Sequence, residues 1–372
     1  MKINNFKLER FFAKYEFKAP YILCSSDCES LTIKEILSLE KNARNELDKV
    51  WLGYTESQGS LILRKEISKL YNGIHPDNTI VFAGAEEGIF AFMNSVLTEG
   101  DHIIAQFPAY QSLYEIANAI GCEVTKWPMD DRNRWELDVN FLKKNIKKNT
   151  KAIIINCPHN PTGYLMSKEK FREIISISKD NNIYLFSDEV YRYSEYNSED
   201  TLTAACDAYE KGVSLGVMSK TFGLAGLRIG WIATKDKKLL NDLAIFKDYT
   251  TICSSAPSEF LSIIALKNKE KLIKRNLTIT QSNLKILDKF FNKYKNLFEW
   301  IKPKAGTIAF PRIKFGKTAE NFCMDLLNKK GVLLLPGNLY DYDNKHFRIA
   351  FGRKNMPEAL EKLEEYIKEN II

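Results

Sequence analysis

No stretch of this 372-residue sequence approaches the roughly 20 apolar residues that a bilayer-spanning helix needs. Nor is there a run of basic residues interleaved with aromatics. The formal charge is +7, but Lys and Arg are scattered among Asp and Glu, which argues against nucleic acid as a partner. A mild positive potential instead suits an anionic cofactor or substrate. The seven cysteines (24, 28, 122, 157, 206, 253 and 323) are odd in number and irregularly spaced. Cys24 and Cys28 form the closest pair, and no second pair at metal-binding spacing accompanies them, so reduced core thiols are expected rather than a disulfide framework or a metal site. The first twenty residues are charged throughout and lack the apolar core of a secretory signal. A cytoplasmic protein without a membrane partner is the expectation. Internal repeats and low-complexity linkers are also missing.

Hydrophobic content of 45% and charged content of 27% belong to an ordinary globular chain, and the length exceeds the usual single domain. The middle of the chain alternates apolar runs with amphipathic stretches. Strands are expected at Ile80–Ala83, His102–Ala105, Ala152–Ile155, Ile183–Phe186, Val213–Val217 and Gly230–Ala233. Helical periodicity runs over Glu86–Leu97, Gln111–Ile120 and Lys168–Asn181. This alternation predicts an α/β fold, a mostly parallel sheet flanked by helices. After about Ser255 the texture changes. Long helical patterns run from Pro257 to about Lys295, strands are expected at Gly331–Leu335 and His346–Phe351, and a closing helix at Met356–Asn370. A smaller second domain is expected there.

Three of the middle strands run into polar residues. Ile155 leads into Asn156-Cys157-Pro158-His159-Asn160-Pro161-Thr162-Gly163, Phe186 into Ser187-Asp188-Glu189-Val190-Tyr191, and Val217 into Met218-Ser219-Lys220. In open parallel sheets, ligands bind beyond the carboxyl ends of the strands. An amide, a carboxylate and an amine therefore converge on one crevice. A lysine in a partly dry crevice loses its proton more readily and becomes a nucleophile for a carbonyl. A carboxylate there pairs with a protonated heterocyclic nitrogen. Pyridoxal 5'-phosphate needs both groups. Eight residues beyond Lys220, the guanidinium fork of Arg228 is placed to grip a phosphate. Gly84-Ala85-Glu86-Glu87 opens a helix whose free amides take further phosphate oxygens.

These motifs resemble the class I/II aminotransferases, of the fold type I group of pyridoxal-phosphate enzymes. The resemblance runs from about Trp51 to Arg353, carried by Asn160-Pro161-Thr162-Gly163, Asp188-Glu189-Val190-Tyr191 and Ser219-Lys220 through Arg228. It implies that an amino acid passes its α-amino group to a 2-oxo acid through a Schiff base on Lys220. Residues 1–45 would join the small domain, 46–255 form the large cofactor-binding domain, and 256–372 the small C-terminal domain. Asp188 would pair with the pyridinium nitrogen, and Asn160 and Tyr191 would bond the phenolic oxygen. Tyr110 would stack on the ring. Arg228, with the amides of Ala85 and Glu86, would hold the phosphate. Arg348 would bind the substrate α-carboxylate, with Arg353 a nearby competitor. Tyr54 would reach a neighbouring subunit's phosphate across a homodimer interface, and the Asn160–Pro161 bond would be cis. Packing alone is the alternative role for Tyr110, as surface exposure is for Tyr54.

The sequence also departs from that family. Many relatives carry a serine where Val217 stands, so one phosphate contact is expected to be either missing or supplied by Ser219. Glu86 brings an acid near the phosphate site and is expected to point away. Relatives place a short apolar-glycine-proline segment over the substrate, whereas this chain reads Leu23-Cys24-Ser25-Ser26-Asp27-Cys28-Glu29-Ser30-Leu31. That segment resembles a small subgroup acting on arginine, some of them oxygen-dependent oxidases or hydroxylases. Asp27 or Glu29 would then face a cationic substrate. Asp27 or Ser30 equally suits the N-cap of a helix over Thr32–Leu39. A non-catalytic binding protein on the same fold is the remaining alternative, disfavoured by the intact catalytic set.

Overall fold

Alternation of side chains along short apolar strands builds the centre of the molecule, a computed structural model that describes residues 2–372. Seven strands form one sheet: β1 (Thr79–Phe82), β2 (His102–Phe107), β3 (Glu123–Pro128), β4 (Thr150–Asn156), β5 (Tyr184–Asp188), β6 (Gly212–Val217) and β7 (Gly230–Thr234). Their order is β1-β7-β6-β5-β4-β2-β3, and all run parallel except β7, which is antiparallel to both neighbours. In β4, Ile153 and Ile155 face one core while Ala152 and Ile154 face the other, all of them buried. A sheet covered on both faces needs apolar residues at every position, which explains why these strands read as continuous runs. The expected mostly parallel α/β sheet is therefore present.

In three places the structure differs in detail from the sequence pattern. The edge strand β3 has no apolar run, because one side of it meets solvent and only Trp127 along it is buried. The expected strand over 331–335 splits in two. Val332–Leu333 pairs in parallel with Tyr21–Ile22, while Leu335–Pro336 pairs antiparallel with Phe347–Ala350. The long helical pattern breaks at Asn268 into Ala256–Lys267 and Lys269–Lys293. Asn268 turns its side-chain amide onto the Ile264 carbonyl at 3.1 Å and onto Glu40 at 2.6 Å, a local bond that competes with the helix ladder.

Helix α1 (Lys7–Tyr15) lies over the C-terminal ends of the strands, burying Leu8 and Phe12 in the same core as Ile153 and Ile155. Helix α2 (Ala85–Val96) follows β1, and α3 (Ser112–Ile120) follows β2. The start of α2 approaches β7 so closely that Gly230 has no room for a side chain: a Cβ there would lie 2.5 Å from the Gly84 carbonyl carbon and 2.7 Å from Ala85 N. Gly230→Ala is expected to lower stability by about 1–3 kcal/mol through overpacking and to push the start of α2 outward. Thermal denaturation together with phosphate or cofactor binding checks both parts.

Candidate active site

Strands β4 and β5 end level with each other, Asn156 paired with Asp188. Asn156 Nδ2 donates to the Asp188 carbonyl at 2.9 Å, its Oδ1 accepts from Asn160 N at 2.7 Å, and its own N–H donates to Gln106 Oε1 at 2.9 Å. One amide thus ties the ends of β2, β4 and β5 to the loop that carries Asn160. His159 ties a second loop to it. Its Nε2 lies 2.8 Å from the Pro108 carbonyl and must donate, so Nδ1 accepts from Thr162 Oγ1 at 2.8 Å. Burial pushes the His159 pKa down to about 3, so the ring is a neutral strut. Asn160–Pro161 is cis, as the sequence leads one to expect, and so are Phe107–Pro108 and Cys157–Pro158. Neither Asn156 nor His159 was singled out from the sequence. Their signal was only a polar residue following a buried strand.

The crevice beyond these ends holds charged groups with little to neutralise them. Asp188 is 5% exposed and accepts one bond, from Val190 N at 3.2 Å. Burial pushes its carboxyl up to about 7, and the charge of Lys220 offsets this only in part. Burial also lowers the Lys220 pKa, opposed by the charge of Asp27 and reinforced by Arg348. The Lys220 amine donates to Ser26 Oγ at 2.8 Å. Arg348 is 2% exposed, and its bonds go to uncharged acceptors. Nε and Nη2 donate to the Cys24 carbonyl at 3.0 and 2.7 Å. Nη1 donates to Tyr340 Oη at 2.5 Å and to Asn160 Oδ1 at 3.2 Å.

Around the start of α2, Arg228 lies against Gly84, and no side chain caps the helix, so its first N–H groups remain available to an anion. The amides of Ala85 and Glu86 belong to this turn. The Glu86 side chain does not point away from the site, contrary to expectation. It is tucked against Ser112, whose hydroxyl donates to it at 3.0 Å. Burial pushes the Glu86 carboxyl up to about 7; the Ser112 bond and the Arg228 charge oppose this, while Glu9 and Asp188 add to it. Tyr110 is half-buried between Phe6, at 4.9 Å between ring centres, and the strand ends. Its hydroxyl donates to Glu9 Oε1 at 2.8 Å. Tyr191 is 2% exposed, with its hydroxyl 3.3 Å from the Ser26 carbonyl. Ser219 is buried beside Lys220.

Two expected residues stand apart. Tyr54 is 83% exposed, beside the equally exposed Trp51 and Leu52. Asp27 is bound on both oxygens by Arg353, Nε at 3.1 Å and Nη2 at 3.0 Å, which also removes Arg353 as a rival to Arg348. Neither Asp27 nor Ser30 caps the next helix. Thr32 does so for Ile33–Leu37, in a capping box with Glu35.

An amine, an acid and a bare helix N-terminus with an arginine beside it fit pyridoxal 5'-phosphate: each charged part of the cofactor would have a group of opposite or complementary character to meet. The profile of the family described as "Aminotransferase class I and II" matches residues 21–363. The chain belongs to that family. Among solved structures, this aminotransferase resembles a pyridoxal-phosphate-dependent aminotransferase from Streptococcus suis, with a TM-score of 0.94 at 32% identity over 99% of each chain. It also resembles the pyridoxal-phosphate-dependent cyclase OrfR, with a TM-score of 0.90 at 28% identity over 99% of this chain and 98% of that one. An aspartate aminotransferase of Pyrococcus horikoshii is 28% identical over 89% of this chain and 87% of its own length. The protein is a pyridoxal-phosphate-dependent aminotransferase acting on an amino acid and a 2-oxo acid. No helix among the described residues is long and apolar enough to cross a membrane.

The raised Asp188 pKa has a measurable consequence for the cofactor-free protein. A carboxyl held up to about 7 in the fold weighs little on stability below its unfolded value near 3.8 and costs increasingly as pH rises to 7. Asp188→Asn is therefore expected to stabilise the cofactor-free protein, by an amount of order 4 kcal/mol above pH 7 that vanishes near pH 4. Urea denaturation of both proteins across that range checks it.

Proposed function

We propose that Lys220 carries pyridoxal phosphate covalently, that Asp188 pairs with its ring nitrogen, and that Arg348 receives the substrate α-carboxylate. What carries this reading is the set of buried charges without internal partners, Asp188 and Arg348 above all. A buried charge is ordinarily paired within the protein, so a crevice that leaves an acid and a guanidinium uncompensated supports a ligand that brings the opposite charges. When bound, the cofactor supplies an electron sink that lets the α-hydrogen leave as a proton. The protein's part is to hold and move that proton. The lowered pKa of Lys220 favours the neutral amine that can accept it. Asn160 and Tyr191 would bond the phenolic oxygen of the cofactor, Tyr110 would stack on its ring, and Ser219, Arg228 and the amides of Ala85 and Glu86 would take the phosphate. Reduction with borohydride is expected to fix the cofactor to the peptide containing Lys220, and Lys220→Ala to abolish the adduct. An adduct that persists in that variant refutes the assignment.

Residues 46–255 as the cofactor-binding domain, with 1–45 and 256–372 as the smaller one, is the division we propose. The pairing of Tyr21–Ile22 with Val332–Leu333 supports it. A homodimer with Tyr54 reaching the partner's phosphate is supported by the exposed Trp51, Leu52, Tyr54 and Tyr249, each at least 80% accessible. Seven free cysteines support a reducing, cytoplasmic setting.

A second reading, a substrate with a cationic side chain, is favoured by Glu9. Its only side-chain hydrogen bond among the described residues is from the neutral phenol of Tyr110, and its charge is felt by Lys220, Glu86 and Tyr340 around the crevice. Asp27 is already occupied by Arg353, so Glu9 is the acid that supports this reading. An oxidase or hydroxylase acting on arginine would use the same subsite, and oxygen uptake without added 2-oxo acid distinguishes it. Glu9→Gln is expected to raise KM about tenfold for cationic amino acids alone, whereas Arg348→Ala weakens every amino acid. Steady-state kinetics with cationic, acidic and aromatic donors checks the contrast.

A further inference from the structure

The segment from Leu23 to Glu29, where this chain departs from its family, is fastened at both ends to the strand Phe347–Ala350 and its continuation. Ala350 N donates to the Leu23 carbonyl at 2.9 Å, and Glu29 N to the Gly352 carbonyl at 2.9 Å. Gly352 packs so tightly on the Asp27 carbonyl that a side chain there would collide with it. Between these anchors Ser26 arches over the crevice and is 9% exposed. Its carbonyl accepts from Thr307 Oγ1 at 2.8 Å and from Tyr191 Oη at 3.3 Å. Thr307 and Tyr191 are each 2% exposed, so both donors are fixed by packing. With its backbone held in this way, Ser26 has one free element, its hydroxyl, and Lys220 Nζ donates to that oxygen at 2.8 Å.

We propose that Ser26 is a positioning residue for Lys220, its hydroxyl holding the amine whenever that amine is not bonded to the cofactor. This rests on the reading of Lys220 as the cofactor-bearing lysine. A neutral primary amine has two N–H groups and one lone pair. Giving one N–H to an acceptor carried on a held backbone restricts rotation about Cε–Nζ and confines the lone pair, the feature that receives a proton, to two directions. Without the acceptor the four-carbon stem is free to swing, and the lone pair meets the substrate only part of the time.

The acceptor also favours the ammonium over the amine, because a hydrogen bond to a charged donor is the stronger one. Its loss therefore lowers the Lys220 pKa. The test begins with cofactor-free protein. Lys220 is acylated with a small anhydride across pH, and its peptide is quantified by mass spectrometry. Ser26→Ala is expected to shift the titration down by about half to one pH unit, and Ser26→Thr, which keeps the hydroxyl, to leave it in place. In the loaded enzyme, Ser26→Ala is expected to slow exchange of the substrate α-hydrogen with deuterated water about tenfold while KM changes less than twofold. Titrations of Ser26→Ala and wild type that superimpose overturn the proposal, as does equal loss of exchange rate in the alanine and threonine variants. Borohydride trapping on Lys220 in the same proteins separates the two readings. If it persists in Ser26→Ala while the titration does not move, the role of Ser26 fails and that of Lys220 stands.

Discussion

The burial of charge without an internal partner is the constraint on which this structure turns. Asp188 and Arg348 lie 5% and 2% exposed, and neither meets an opposite charge within bonding distance among the described residues. Such groups are costly unless a ligand brings opposite charges, and the cost is sustained by a frame that cannot relax around them. Parallel strands supply that frame. Their ends are level, and Asn156 locks three of them together, so Asp188 cannot turn toward solvent without breaking the ladder.

The same rigidity extends outward. His159 braces the Tyr110 loop against the Asn160 loop, and its neutral state matters because a charged ring would lose the acceptance of the Thr162 hydroxyl. On the opposite wall, the segment over Ser26 is bonded to the strand that carries Arg348. Arg348 and the backbone that presents Ser26 to Lys220 are therefore set by one element. Any shift of Phe347–Ala350 moves Arg348 and Ser26 together.

Much of this was legible in the sequence, and the boundary is physical. The central strands showed because a sheet buried on both faces demands unbroken apolar runs. Asn160, Asp188 and Lys220 stood out as candidates because polar residues soon after such runs fall near the strand ends. Strand β3 did not show, because its single buried residue, Trp127, leaves no pattern. The pairing of Asp27 with Arg353 was hidden by 326 positions of sequence separation, and no local spacing announces it. Ser26 and Glu9 were hidden for the same reason. Each acts on a residue that only the closed fold brings near, and a serine in a polar loop or a glutamate on an amphipathic helix carries no signature of its own.

The parallel pairing of Tyr21–Ile22 with Val332–Leu333 closes the chain on itself across almost its whole length. On a ribosome the first of these strands emerges long before the second exists. Lys220, Asp188 and the start of α2 can reach their sheet while the N-terminal segment still waits for its partner. The crevice thus acquires its floor during synthesis and its roof, with Ser26 and α1, only near the end. A chain cut short before residue 332 retains Lys220, Asp188 and Arg228 and lacks the strand that seats the segment carrying Ser26.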